Sequence, residues 1–293
     1  MTPQPSALRG GVLTAVLALL VAAVILVAGC TAGTENRTPG PGDGVSGTLS
    51  VTGSTTVLPI AQIAAEAFMA GNPGADILVS GGGSSVGVQA VGEGTAGIGM
   101  ASRDLKAAEK EKYPDLVKHT IAIDGIAVIV NPSNTAGSLT LDQVRGIYNG
   151  TYTNWNQVGG ADGQIVVVGR DSASGTREYF QEAVMQKEDF VSTQLEKNSN
   201  GAVAQTIAQT PGAIGYVGLG YLDSTVKGVA IDVDGNPVMP TVEAVKAGTY
   251  PIAREVFMFT KGEPNDLAKA YLDFILSPDG QAIVEEEGFV RVD

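Results

Sequence analysis

A repeated local pattern dominates the chain after its first 46 residues. A short apolar stretch runs into a turn rich in glycine, serine and threonine, and then into a segment whose apolar residues have helical spacing. The first three such units have strands predicted at 48–52, 76–80 and 96–100, with helices predicted at 57–70, 86–92 and 105–112. Alternation of strands and helices with short connections is typical of parallel βαβ units. Ligands on such sheets bind at the carboxyl ends of the strands, where the three turns would gather.

The middle of the chain predicts a second half of similar construction. Residues 120–130 are apolar but are interrupted at Asp124 and Gly125, which suggests two strands and a crossing into a second lobe. Further strands are predicted at 164–168 and 213–217, and helices at 141–148, from about 176 to 186, and at 202–209. A strand at 255–260 would return the chain to the first lobe, where helices at 266–276 and 278–287 would end it. The predicted lobes are therefore 47–124 plus 255–293, and 125–254.

Charge and composition exclude several classes of function. Eighteen Lys and Arg residues against 31 Asp and Glu residues give a net charge of −13. A protein this acidic is a poor partner for nucleic acid, because phosphate backbones require a basic face. One cysteine and one histidine exclude thiolate or imidazole metal clusters and an intrachain disulfide. We therefore expect no metal site and no cofactor.

The N-terminus has the pattern of a targeting segment. Residues 12–28 carry no charge and follow Arg9, and the small residues Ala28 and Gly29 precede the chain's one cysteine, Cys30. This pattern predicts a lipoprotein-type signal peptide at 1–29 and acylation of Cys30. Residues 30–46, rich in Gly, Pro and Thr, would form a flexible tether. An uncleaved membrane anchor is the alternative; in either case the remainder is expected outside the cytoplasmic membrane, on the outer face of the cell membrane.

Four of the strand-to-helix turns carry hydroxyl groups that could bind an anion. A helix N-terminus exposes unpaired N–H groups and the positive end of the helix dipole, and serine or threonine at that position adds uncharged donors. Any one of these turns could be an ordinary helix cap. Together with Arg170, whose planar fork suits a tetrahedral oxyanion, they predict a shared anion site made of Ser54, Thr55, Thr56, Ser84, Ser102, Arg170, Ser174, Gly175 and Thr176.

Four blocks carry a resemblance to a known family. They are G-S-T-T-V-L-P at 53–59, G-S-S at 83–85, R-D-S-A-S-G-T at 170–176 and P-G-A-I-G-Y-V at 211–217. These blocks resemble the phosphate-binding proteins of Pst-type ABC transporters, and the similarity runs through 47–293. The resemblance implies an α/β, two-lobed periplasmic-binding-protein fold of type II, with a mostly parallel sheet flanked by helices in each lobe. It also implies capture of inorganic phosphate in the cleft between the lobes, delivery to membrane permease subunits, and no enzymatic activity. We expect a monomer.

One position departs from the better-known bacterial members of that family. Their third turn carries an aspartate that accepts the proton of phosphate, whereas Ser102 stands at that place here. A hydroxyl can donate as well as accept, so it would reject sulfate less firmly. The acceptor role could pass to Asp124 or to Asp104, and Arg103 could add a second positive group.

Three alternatives remain at this point, one of which is a phosphate-sensing or adhesive surface protein without a transporter. The same fold could take another oxyanion, such as sulfate, molybdate or an organic phosphate. The segment G-S-S-V-G at 83–87 also fits the nucleophile pattern of serine hydrolases, with Ser85 as nucleophile. That reading needs His119, the one histidine, as the base.

Overall fold

The computed structural model describes residues 44–293. The predicted signal peptide, Cys30 and the tether as far as residue 43 lie outside the described residues. Within the described part no helix is long and apolar enough to cross a membrane. The strands are β1 Gly47–Gly53, β2 Ala75–Gly81, β3 Ile98–Ala101, β4 Leu116–Val130, β5 Ser138–Thr140, β6 Val166–Arg170, β7 Leu195–Lys197, β8 Ala213–Gly218, β9 Lys227–Gly228, β10 Ala230–Val233, β11 Asn236–Val238 and β12 Ala253–Lys261.

The helices follow the strands as the alternating pattern predicts. They are α1 Leu58–Gly71, α2 Ser84–Gly92, α3 Ala107–Lys112, α4 Leu141–Tyr148, α5 Gly175–Ala183, α6 Asn200–Gln209, α7 Val242–Lys246, α8 Asp266–Leu276 and α9 Pro278–Glu286, with short 3₁₀ turns at Trp155–Val158 and Leu219–Tyr221. Helix α5 ends at residue 183 rather than 186, because Gln186 and Lys187 have left-handed backbone angles that cannot continue it.

A nine-stranded sheet runs through the described residues in the order β2-β1-β3-β12-β4-β8-β6-β7, with β9 also paired to β4. Strand β1 is parallel to β2 and β3, and β6 is parallel to β7 and β8. The antiparallel strands β12 and β4 lie between these two parallel groups. The result is the two-lobed α/β fold expected of a type II binding protein, in which the chain crosses between the lobes on β4 and β12.

Strand β4 differs from the sequence prediction. Residues 116–130 form one continuous strand, so the predicted break at Asp124 and Gly125 is wrong. Its first part pairs with β12 and its second part with β8. A Cβ on Gly125 would lie 2.7 Å from the side chains of Leu219 and Val245, so the glycine permits close packing instead of a turn.

The apolar side chains form separate cores on the two sides of this crossing. One core gathers residues between 126 and 252, together with Val290. A second gathers residues of 49–122 and 256–289, and a smaller cluster beside it is built around Phe257 and Phe259. The loops at the carboxyl ends of β1, β3 and β6 are thereby fixed on rigid elements from both sides. The exact lobe boundaries stay a prediction.

Candidate anion site

The first side of the site is built from the turns after β1, β2 and β3. The turn after β1 holds Thr55 and Thr56, while Ser84 is the first residue of α2 and Ser102 follows β3. All four side chains are buried. The Ser84 hydroxyl accepts a hydrogen bond from the backbone N–H of Ser102 at 3.0 Å, and the two hydroxyl oxygens are 3.3 Å apart.

A glycine explains why these turns approach one another so closely. Gly53 ends β1 with φ +134, and a Cβ there would lie 2.8 Å from the Cα of Gly87 in α2. A side chain at position 53 would therefore force β1 and α2 apart. Ser54 is buried as predicted, but its hydroxyl accepts the backbone N–H of Thr56 at 3.2 Å, so it shapes the turn.

The second side is the turn between β6 and α5. Ser174 caps α5, and its hydroxyl accepts the backbone N–H of Arg177 at 3.1 Å. Gly175 and Thr176 form the first turn of that helix and are buried. Their N–H groups lie at the positive end of the helix dipole.

Arg170 ends β6 and is 1% exposed. Its Nε and Nη2 donate to the backbone carbonyls of Lys197 and Asn198 at 3.1 and 3.2 Å. These bonds hold the guanidinium against the backbone between β7 and α6. Burial lowers the pKa of Arg170 from its ordinary value, so an anionic partner would relieve a desolvation cost.

The two sides meet in direct contact. The hydroxyls of Thr56 and Thr176, from opposite sides of the crossing, lie 3.0 Å apart. Gly175 packs against the hydroxyls of Ser84 and Ser102, since a Cβ on it would lie 2.9 Å from Ser102 Oγ and closer still to Ser84. The structure therefore brings the sequence-predicted turns to one buried place.

The two candidate proton acceptors have different positions. Asp124 is fully buried on β4; its Oδ1 accepts the backbone N–H of Leu219 at 3.1 Å, and its Oδ2 accepts from Arg254 at 2.9 Å. Burial raises the pKa of Asp124 above its ordinary value, although Arg254 opposes that change. Asp104 is exposed and pairs with Lys118 at 2.9 Å, outside the buried group.

Two buried polar residues of this place are absent from the sequence prediction. Asn200, the first residue of α6, donates from Nδ2 to the hydroxyls of Thr55 and Thr56, each at 3.1 Å. Arg254, on β12, donates from Nη2 to Thr176 at 3.0 Å. The sequence signal for Arg254 was its position at the predicted junction of the lobes, and Asn200 had no signal beyond an ordinary helix start.

An ionic cluster joins the two sides near this group. Arg103 binds both carboxylate oxygens of Glu109 at 2.7 Å, and its Nε lies 2.7 Å from Glu178 of α5. Lys106 Nζ also lies 2.9 Å from Glu178. Arg103 is thus engaged by carboxylates from both sides, in addition to the hydroxyl of Ser85.

The residues of the serine hydrolase alternative have other partners. The Ser85 hydroxyl accepts a hydrogen bond from Arg103 Nη2 at 3.1 Å, while His119 Nε2 lies 3.0 Å from the hydroxyl of Thr260. Partial burial lowers the pKa of His119, and Glu263 opposes the shift. Within residues 44–293 no group of three or more His, Cys, Asp or Glu side chains is placed to hold a metal ion.

Comparison with known proteins identifies the family. Residues 38–279 match the model described as PBP superfamily domain. The phosphate-binding protein PstS of Bacillus subtilis is 37% identical over 286 residues, covering 94% of this chain and 93% of that protein, and PstS of Borreliella burgdorferi is 32% identical, covering 83% and 90%. Among solved structures, a Clostridium perfringens protein described as a phosphate ABC transporter substrate-binding protein with bound phosphate is 38% identical, with TM-score 0.80 over 84% of this chain and all of that one. The chain belongs to the PstS phosphate-binding protein family of the PBP superfamily.

Proposed function

We propose that this chain captures inorganic phosphate between its two lobes and delivers it to the permease of an ABC transporter. The observation that supports this most directly is the convergence of hydroxyl donors from both sides of the crossing, with Thr56 and Thr176 at 3.0 Å. Relatives named phosphate-binding protein PstS, and the Clostridium perfringens structure with bound phosphate, support phosphate as the ligand.

The donor set suits a small tetrahedral anion. Thr55, Thr56, Ser84 and Ser102 would supply hydroxyls, with Ser54 shaping their turn, and Ser174, Gly175 and Thr176 would supply the N-terminus of α5. Arg170 would be the charged clamp. Hydroxyls that now satisfy one another would exchange that partner for oxygens of the anion. In a dry cleft each hydrogen bond to a charged acceptor contributes about 1.5–3 kcal/mol. Salt screens the repulsion from the net charge of −13 beyond a length of ~8 Å, so the short-range hydrogen bonds outweigh it.

A proton acceptor would favour phosphate over sulfate. Asp124 is the better candidate, because its carboxylate lies within the buried group and its Oδ1 has one backbone donor, which leaves a lone pair for a P–OH group. Asp104 faces Lys118 and is the weaker candidate. A carboxylate at the acceptor position of the site would repel fully deprotonated sulfate, which has no proton to donate.

Binding would need no bond to be made or broken. The lobes, 47–124 plus 255–293 and 125–254, would close on the ligand by hinge motion at β4 and β12. A ligand that touches both lobes stabilises the closed form by its differential affinity alone. The chain would then be a binding protein and not an enzyme, with no cofactor.

The N-terminal pattern suggests where this happens. Acylation at Cys30 would hold a monomeric binding protein on the outer face of the cell membrane, close to its permease, with 30–46 as tether. Metabolic labelling with a radioactive fatty acid tests this. Label in the wild type and none in Cys30→Ala is expected, whereas equal labelling would reject the anchor.

Titration calorimetry with phosphate and with sulfate tests the function. Arg170→Ala should weaken phosphate binding by roughly 100-fold or more, because it removes the charged clamp. Arg145→Ala is the control, since Arg145 pairs with Asp142 within α4 and belongs to no part of the proposed donor set. Thermal unfolding would verify that both variants fold. Unchanged phosphate affinity in Arg170→Ala, or tighter binding of sulfate by the wild type, would contradict the proposal.

A further inference from the structure

Arg254 occupies the strand crossing between the two lobes. It is the second residue of β12 and pairs in register with Asp124 of β4. Its side chain is 2% exposed and that of Asp124 is fully buried. A charged side chain this deeply buried has to be compensated by close partners, because desolvation is costly.

Two of the three guanidinium nitrogens of Arg254 are hydrogen-bonded to neighbouring side chains. Nε and Nη2 both donate to Oδ2 of Asp124, at 3.2 and 2.9 Å. Nη2 also contacts the hydroxyls of Thr176 at 3.0 Å and Thr56 at 3.3 Å, one from each side of the site. Asp124 is itself held by the backbone N–H of Leu219. The plane of the guanidinium is therefore fixed. Its Nε and Nη2 contact Asp124, and Nη2 also lies among the candidate ligand hydroxyls of Thr56 and Thr176.

Among residues 44–293 the remaining nitrogen, Nη1, has no hydrogen-bond partner, although the carbon of the guanidinium lies 5.7 Å from the centre of the Tyr179 ring. Among the described residues, Nη1 of Arg254 is one of few buried side-chain nitrogen or oxygen atoms without a hydrogen bond. Buried donors are almost always paired, and an unpaired one on a cation is especially costly. Nη1 shares its carbon with the Nη2 that contacts Thr56 and Thr176, so this free donor lies beside the predicted ligand groups.

The charges around this place also call for an anion. Burial lowers the pKa of Arg170, the negative charge of Asp171 opposes that change, and repulsion from Arg254 adds a smaller lowering. Asp124 is bonded to Arg254 and compensates one of these two cations. Asp171 offsets part of the charge of Arg170, and a negative ligand would complete the balance of the two cations.

We propose that Arg254 is a second cationic ligand of the bound anion, with Nη1 donating directly to one of its oxygens and with Asp124 holding the guanidinium in position. The inference rests on the proposed binding of phosphate at this site. The anion would then be clamped by Arg170 from the end of β6 and by Arg254 from the crossing strand. Arg254 would then contact the ligand at the strand crossing, where the lobes are proposed to hinge.

The direct test is a structure of the wild-type protein with inorganic phosphate. A phosphate oxygen within about 3.0 Å of Arg254 Nη1 is expected for a charge-assisted bond. A closest approach beyond about 4 Å would overturn the inference, because Arg254 would then serve only to brace the strand crossing.

Calorimetry with inorganic phosphate provides the second test. Arg254→Gln should weaken binding by about 10- to 100-fold, and Arg254→Lys should recover part of the loss. The double variant Asp124→Asn with Arg254→Gln avoids an unpaired buried carboxylate, and its comparison with Asp124→Asn alone separates the loss due to Arg254 from the loss of the candidate proton acceptor. Arg145→Gln is the control. Binding within twofold of wild type in a folded Arg254→Gln or double variant overturns the inference alone, whereas a wild type that fails to bind phosphate overturns the proposed function and this inference with it.

Discussion

Among the residues that the structure describes, Glu178 on α5 is the one carboxylate that the second side contributes to the ionic cluster around Arg103. Replacing it with glutamine tests lobe closure. Its carboxylate lies 2.7 Å from Arg103 Nε and 2.9 Å from Lys106 Nζ, both on the first side. With the predicted lobe boundaries both pairs cross between the lobes, so they would exist only while the lobes are together. Glu178→Gln keeps the length of the side chain and removes its charge.

The exposure of the partners sets the size of the effect. Lys106 and Glu178 are 40% and 35% exposed, so their pair resembles a surface ion pair worth about 0.2–1 kcal/mol. The Arg103 side chain is only 4% exposed, so its interaction with Glu178 is less screened and should lie near the top of that range, whereas the more exposed Lys106 pair should lie near the bottom. A total loss of about 1–1.5 kcal/mol corresponds to about 5- to 12-fold weaker phosphate binding.

A competing effect acts on the association rate. Removing a negative charge near the cleft favours the approach of an anion, but salt screens this interaction beyond ~8 Å. We therefore expect less than a twofold rise in association rate, because the net charge changes only from −13 to −12. The loss of affinity should appear as faster dissociation of phosphate.

Stopped-flow measurement of phosphate release at low and at 0.5 M NaCl separates these effects. Glu178→Gln should release phosphate about 5- to 20-fold faster than the wild type at low salt, with a smaller difference at high salt. Glu182→Gln is the matched control: it lies on the same helix, is 71% exposed, and its nearest cation is Lys187 at 4.0 Å. Equal release rates for Glu178→Gln and the wild type, or equal acceleration in the control, would refute the reasoning.

Two further predictions concern other contacts of the same region. Gly175→Ala should weaken phosphate binding at least about tenfold, because a Cβ would lie 2.9 Å from Ser102 Oγ and hinder closure; calorimetry measures this, and wild-type affinity would contradict it. For Glu109, burial favours a higher pKa, but hydrogen bonds from Arg103 and from the backbone N–H of Lys106 outweigh it, so the pKa lies below its ordinary 4.5. The folded state therefore favours the carboxylate, and this stability is present above pH 4.5 and lost as the pH falls through the lowered pKa. Urea unfolding at several pH values should show a steeper acid loss for the wild type than for Glu109→Gln, and parallel profiles would exclude this role.

The elements that the sequence predicts best are those with a strong local period. Helices α4 and α8 begin and end at the predicted residues. Helices α1, α2 and α6 each begin within two residues of their predicted starts. Their apolar residues recur on one face, and the side chains of Thr140 and Asn265 cap the first turns of α4 and α8, which fixes where these two helices begin. The short strands β5, β7, β9, β10 and β11 have no counterpart in the sequence prediction, since two to four residues are too few to show an alternating pattern.

The continuous strand β4 illustrates where local reasoning fails. Asp124 followed by Gly125 is typical of a turn in a sequence read by itself. In the fold, Arg254 and the backbone N–H of Leu219 satisfy the carboxylate, so a charged residue is tolerated in the middle of a buried strand. Both partners come from elsewhere in the chain, Arg254 from 130 positions away.

The same distinction separates the two arginines of the candidate site. Arg170 could be predicted because it stands in one short block with Ser174 and Thr176, and a strand end followed by a helix start fixes their relation without further information. Arg254 acquires its position only when β12 pairs with β4, and its chemistry depends on hydroxyls from two other turns. If both guanidiniums hold the anion, Arg170→Ala and Arg254→Gln should not add as independent losses, because each reports the same closed, anion-balanced state. A double-mutant cycle on phosphate affinity would therefore give a coupling energy well away from zero, and strict additivity would argue for two separate roles.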